Sequence, residues 1–188
     1  MSYFVDCIYS LKDIPENGLE KGEYESCTFE QCNFSNQHLG NLKFIDCTFN
    51  SCNLSLCKVS GTAFRDCMFD ECKLLGIRFE DCNPIGFNVR FNDCTLNHSS
   101  FYDLNLKKTF FSNCQLTEVD FTLADLTQAS FALSTLNGAI FQNTNLEQAD
   151  FRSATHFQID PTKNKLKKAK FSKEGLEGLL FSFGIIIE

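Results

Sequence analysis

The sequence predicts an all-β solenoid, a chain that coils in a square and stacks its coils in parallel. Three observations lead there. A large apolar residue recurs at every fifth position, each cysteine up to residue 82 lies two residues before such a position, and one short break resets the register by two residues. The first run is Tyr24, Phe29, Phe34, Leu39, Phe44, Phe49, Leu54, Val59, Phe64, Phe69, Leu74 and Phe79. The second alternates: Phe91, Leu96, Phe101, Leu106, Phe111, Leu116, Phe121, Leu126, Phe131, Leu136, Phe141, Leu146, Phe151.

A period of five suits neither elementary template. On an α-helix successive members would step by roughly 140° and scatter round the axis. On a flat strand they would land on opposite faces in turn. The pattern buries itself only if the chain turns a corner every five residues. Four corners close a coil of 20 residues, and coils then stack at the parallel-strand spacing of ~4.8 Å. The register over 19–158 allows about six turns, roughly 30 Å of rod. One column then reads Phe29, Phe49, Phe69, Phe91, Phe111, Phe131, Phe151, and the next Phe34, Leu54, Leu74, Leu96, Leu116, Leu136, His156. The two-residue insertion falls near 84–90, within "CNPIGFNVR", and reads as a small corner loop.

The cysteines follow from the same geometry. Cys94 and Cys114 hold in the second run the place the others hold in the first, and Ala124, Ala129, Ala139, Ala149 and Ala154 take it later. A place that accepts Cys or Ala wants a small inward side chain beside the large one, and buried free cysteine is a small hydrophobe. Zinc ligands need tetrahedral convergence from spacings such as C-x2-C. Here the intervals are multiples of five, with no histidine in register, so "FRDCMFDEC" reads as core, and neither metal nor cofactor is expected.

Motifs such as "ADLTQASF", "NLEQADF" and "CTFEQCNF" resemble the pentapeptide-repeat family, whose pattern is A/C-D/N-L/F-x-x. The resemblance covers residues 19–158 and implies a right-handed quadrilateral parallel β-helix. Residues 1–18 then form an N-terminal cap and loop, broken by "KDIPENG", and 159–188 a C-terminal tail. In the tail, Ser172 is placed to cap a short helix carrying Leu176, Leu179, Leu180 and Phe183 on one face. Ile185, Ile186 and Ile187 read as a final strand. The tail is similar to that of quinolone-resistance and microcin-immunity members, with Asp160, Pro161 and Asn164 matching their Asp-Pro-x-x-Asn segment. That likeness implies a homodimer joined through Leu176, Leu179, Leu180, Phe183, Ile185 and Ile187.

Charge is uneven. Residues 1–159 carry 20 acids and 11 bases, whereas 160–188 carry four acids and six bases. An acidic body repels nucleic acid and anionic membrane, so direct binding to either is not expected. No apolar run reaches the ~18 residues of a membrane span. The N-terminus "MSYFVDCIYS" lacks a basic segment followed by an apolar one, and cysteine is odd in number at 11. These point to the cytoplasm with reduced thiols. No nucleophile elbow, phosphate loop or recurring histidine is present, so no enzyme is expected. The family resemblance implies a rod that mimics DNA and engages a topoisomerase such as DNA gyrase. Its candidate acids are Asp66, Asp70, Glu71, Glu80, Asp81, Asp93 and Asp103, interrupted by Arg65, Lys73, Arg78 and Arg90. The alternative is an interaction scaffold whose partner the sequence leaves open.

Overall fold

The computed structural model describes residues 2–15 and 18–186. Its strands are β1 (Ser2–Val5), β2 (Ile8–Ser10), β3 (Gly22–Glu25), β4 (Thr28–Glu30), β5 (Lys43–Ile45), β6 (Thr48–Asn50), β7 (Ala63–Arg65), β8 (Cys67–Asp70), β9 (Val89–Asn92) and β10 (Phe111–Ser112). Each is two to four residues long because the chain must turn again after five. β1, β3, β5 and β7 pair in parallel as face one of a square rod. β2, β4, β6, β8, β9 and β10 pair as face two. Isolated parallel bridges build the other sides: Asn33 to Asn53 to Lys73 on face three, and His38 to Lys58 on face four. The chain is a quadrilateral parallel β-helix.

Pairing steps by 20 residues until β8 meets β9, where Phe69 opposes Phe91 and the step is 22. The insertion lies at 84–88. Its turn is closed by the Phe87 amide donating to the Pro84 carbonyl at 3.3 Å and the Ile85 amide to Asn83 Oδ1 at 3.0 Å. Phe87 folds back edge-on to Phe79.

The expected phenylalanine column forms and is longer at both ends. Tyr9, Phe29, Phe49, Phe69, Phe91, Phe111, Phe131, Phe151 and Phe171 stack at centroid spacings of 4.6–5.4 Å. Those eight steps span roughly 38 Å at the parallel-strand spacing. Coiling therefore extends past 19–158. β1 and β2 pair in register with β3 and β4, so residues 2–10 are coil rather than a detached cap. At the other end Lys165 and Lys170 bridge to Asn145 and Asp150, so the lysine-rich residues 163–170 belong to the last coil. One column member differs from expectation. His156 is an exposed corner residue at φ 60°, and buried Phe157 fills the inward place between Phe151 and Phe171.

The small inward position has a second duty. Cys72 Sγ donates to the Phe49 carbonyl at 3.2 Å, Ser134 Oγ to Phe111 at 3.0 Å, and Thr144 Oγ1 to Phe121 at 2.9 Å. In each case the acceptor is the large residue 23 positions earlier. Asn164 of the Asp-Pro-x-x-Asn segment repeats the device, donating to the Phe141 carbonyl at 2.9 Å. Corners impose a different demand. The residue two after each large one is commonly left-handed, as at Asp46, Asn36, Leu56 and Lys108 with φ from 53° to 61°. Asn and Asp tolerate that conformation; leucine and lysine adopt it at a cost.

The tail departs from its sequence reading. Ser172 Oγ accepts the Gly175 amide at 3.1 Å, as a capping residue should. The α-helical part is one turn, α1 (Glu177–Leu180), flanked by 3-10 turns at Glu174–Leu176 and Phe181–Phe183 and ended by left-handed Gly184. Gly175 and Gly178, three apart, lie on Phe157, and Ile159 donates its amide to the Gly178 carbonyl at 2.9 Å. The expected strand does not form at Ile185 and Ile186, which follow Gly184 unpaired; Ile187 lies outside the described residues.

Two outcomes follow from this packing. Phe69→Ala should destabilise by about 3–5 kcal/mol, since it empties a fully buried ring site. Cys72→Ser should cost well under that, because Ser134 already makes the same bond; equilibrium urea unfolding separates the two. Equal losses would mean the inward cysteines do more than pack.

Burial pushes the Cys47 and Cys57 thiols up to about 12. Unfolded thiols ionise near 8.5, so the raised groups stabilise the fold fully below that pH and lose their contribution as pH climbs toward 12. Stability measured by urea at rising pH should fall steeply above about pH 9, and the native thiols should resist alkylation at neutral pH.

A Cβ at position 178 would collide with the Phe157 carbonyl oxygen. Gly178→Ala should therefore unseat the tail while leaving the coil intact. Limited proteolysis should then cut within 172–186, and unchanged protection there would overturn the packing account.

Candidate functional site

Two surfaces stand out, an acidic stretch of the rod and the apolar tail. The coil register divides the seven candidate acids between opposite sides. Asp66, Asp70, Glu71 and Asp93 lie on face two or its corners, while Glu80, Asp81 and Asp103 belong to face four and the corner that follows it. They do not form one patch. Sequence proximity grouped residues that a turn of the chain sends to different sides.

On face two the acids interlock with amides. Glu30, Asn50, Asp70 and Asn92 occupy one column. Asn50 Nδ2 donates to Glu30 at 2.8 Å and Asn92 Nδ2 to Asp70 at 2.6 Å. Asn92 Nδ2 also reaches Asp93 at 2.7 Å, and Asn88 Nδ2 donates to Asp66 at 2.6 Å. Asn113 donates to Asp93, and Ser51 Oγ to Glu71 at 2.8 Å. Asp66, Glu71 and Asp93 are left-handed corner residues with φ of 51–53°. These acids join successive coils as well as charging the surface.

Acids that the sequence reading passed over belong to the same face. Asp6, Ser26, Asp46 and Asp66 share one corner column, and Glu30 shares the Asp70 column. Counting in twenties would have found them. Across the first four coils, face two and its corners hold Asp6, Glu30, Asp46, Asp66, Asp70 and Glu71 and no lysine or arginine.

Face four is less acidic than its sequence suggested. Glu80 Oε1 pairs with Arg78 Nε at 3.1 Å, and Arg78 lies 3.7 Å from Asp81. A 3-10 turn at Phe79–Asp81 shapes that corner. Asp81 and Asp103 occupy equivalent places in successive coils, since Phe79 stacks on Phe101 at 4.5 Å. Of the other interrupting bases, Arg90 lies exposed on face two opposite Met68, Arg65 donates to the Ile85 carbonyl, and Lys73 belongs to face three.

The tail presents Leu176, Phe181, Phe183, Ile185 and Ile186 exposed, with Ile186 at 87%. Leu179 instead packs against the core and Leu180 is half-buried, so the four helix positions do not form one outward stripe. Phe181, which the sequence reading missed, takes part because the 3-10 turn rotates it outward. Among the described residues no group of three His, Cys, Asp or Glu side chains could hold a metal ion. No described helix is long and apolar enough to cross a membrane.

A family model described as "pentapeptide repeat region" matches residues 23–101, and one described as "pentapeptide repeats (8 copies)" matches 87–122 and 114–152. No curated protein matches the chain. Among solved structures, a trypsin-treated variant of QnrB1, a plasmid-mediated fluoroquinolone resistance protein, is 20% identical with a TM-score of 0.50. That match covers 99% of this chain and 97% of the other. HetL, a pentapeptide-repeat protein involved in heterocyst differentiation regulation in the cyanobacterium Nostoc sp. strain PCC 7120, is 14% identical with a TM-score of 0.46, covering 92% and 85%. At these identities the likeness is one of fold, and with the two family models and the observed square coil it places the chain in the pentapeptide-repeat family.

Proposed function

We propose that the chain is a non-catalytic binding rod whose acidic half-face imitates DNA and engages a type II topoisomerase such as DNA gyrase. The observation that carries this reading is the unbroken acidity of face two over its first four coils. Six carboxylates there fall at about one per 3 Å of rod, against one charge per about 1.7 Å along a duplex. Support also comes from the fold shared with a fluoroquinolone resistance protein. A homodimer joined through the exposed tail residues Leu176, Phe181, Phe183, Ile185 and Ile186 belongs to the same proposal, as a self-complementary apolar end suits an isologous contact.

The scaffold reading draws on one specific observation. Asp66, Asp70 and Asp93 each accept an amide donor from the next coil, so they can be explained by coil stacking alone. The two readings separate in a supercoiling assay with purified gyrase, with and without a fluoroquinolone. Asp46→Lys with Asp66→Lys should keep the fold, because Lys108 and Lys168 already occupy that corner position at φ 61°. If the rod mimics DNA, the native protein should change gyrase activity, the double variant should lose most of that effect, and added salt should weaken it. Gyrase indifferent to native and variant protein alike would remove the mimic reading and leave the scaffold.

A further inference from the structure

Face two changes sign along the rod. Its first four coils carry only acids, as described. Its last four, counted from Lys108, carry Lys108, Arg152, Lys168, Lys170 and Lys173 against the single acid Asp150. Arg152 hydrogen-bonds Asp150 at 2.7 Å and holds that carboxyl below the usual range, with burial opposing. The middle coil contributes Arg90 and Asp93, which sum to zero.

We propose that face two is a self-association surface on which a second copy lies antiparallel, with the two-fold axis through the coil of Asn88, Arg90 and Asn92. Register sets the pairing. The corner column beside this face runs Asp6, Ser26, Asp46, Asp66, Asn88, Lys108, Gln128, Gln148, Lys168. Laid against its own reverse, Asp6 meets Lys168, Asp66 meets Lys108, and Ser26 and Asp46 meet glutamines. Within the face, Glu30 meets Arg152. Met68 meets Phe110, and these two are exposed at 41% and 48% although they lie on a flat sheet surface. Away from the axis no like charges are opposed in these columns. Spacing is matched automatically, because both copies repeat at the same coil height.

The pairing follows from a surface that is flat, sign-reversing and interrupted by apolar residues placed symmetrically about its middle. A side of about 12 Å by the rod's 38 Å buries about 900 Å² in total, just below the smallest standard interfaces. Electrostatics therefore dominates, and association in the micromolar range and sensitive to salt is the expected form. This contact uses a different surface from the apolar tail and rests on neither the tail dimer nor the topoisomerase reading.

Charge exchange tests it without a topoisomerase. Sedimentation of the full chain is measured at about 50 mM and about 500 mM salt, for the native protein and for variants, each also carrying Phe183→Asp to silence tail contacts. Asp66→Lys places lysine opposite Lys108 twice per dimer, and Lys108→Asp places acid opposite Asp66. Each should weaken self-association at least about tenfold, and the double exchange should restore it. Circular dichroism controls the fold of every variant. Asn88→Cys, on the axis, should form a covalent dimer under mild oxidation by oxidised glutathione. Folded single variants that associate as the native chain does, or a double exchange no better than its singles, would overturn the proposal. Persistence of association at high salt would do so too.

Discussion

Coil height is the constraint on which the rest of this structure depends. Each coil must rise by one strand spacing and no more, so whatever points inward must stack on a copy of itself at that distance. Phenylalanine rings do so at 4.5–5.4 Å with planes within 4–15°. Rings of different columns meet in the middle of the square nearly at right angles, as Phe111 and Phe121 do at 80°. Offset stacking along a column and edge-to-face contact between columns are both favoured arrangements. The square section supplies them together. The backbone carbonyls of Phe49, Phe111, Phe121 and Phe141 are served in turn by the small side chain 23 positions on, which gives Cys, Ser, Thr and Asn a use at a place where alanine also fits.

That constraint also gives the insertion a place in the packing. Face one carries rings at Phe4, Tyr24, Phe44 and Phe64 and then leucines from Leu106 onward. Face four carries Leu39 and Val59 and then rings at Phe79, Phe101, Phe121 and Phe141. The aromatic partner of the long column thus passes from face one to face four, keeping core volume nearly constant along much of the rod. At the changeover Phe64, Phe69 and Phe79 are all fully buried within one turn of the coil. There the two-residue insertion lets Phe87 sit half-buried, edge-on to Phe79.

Most of this was legible from residue spacing, because a column constraint writes itself into the sequence as a period. The fold, the aromatic column, the packing role of cysteine and the register break all depend on inward residues. What was not legible depends on other things. The first coil reads as a cap because the register continues only weakly through Phe4, Tyr9, Ile14 and Leu19 and the turn formers of "KDIPENG" break it. In the tail, Gly175 and Gly178 carry no sequence signal beyond the low helix propensity of glycine. Their use is to let the chain lie on Phe157, a contact with no periodic signal, and it turns Leu179 inward. The acidic site was misjudged for a third reason. Outward residues are free of the packing period, so neighbours in sequence need not be neighbours in space: two corners separate Asp70 on face two from Glu80 on face four.

Freedom from packing is also what makes the outer surface informative. Corner positions favour residues that tolerate the left-handed backbone, so Asp, Asn and Gly there need no functional reason. Lysine at 108 and 168 and leucine at 56, 123 and 133 adopt that conformation without such an excuse, and all three leucines are exposed. A random choice among tolerated residues would scatter charge along a column. The corner beside face two instead carries carboxylates only before Asn88 and ammonium groups only after it. An acidic end suited to a basic partner and a face suited to its own reverse draw on the same carboxylates, so the two uses compete. A copy laid antiparallel would cover the acids that a DNA-binding enzyme would need, which makes self-association a natural regulator of any such contact.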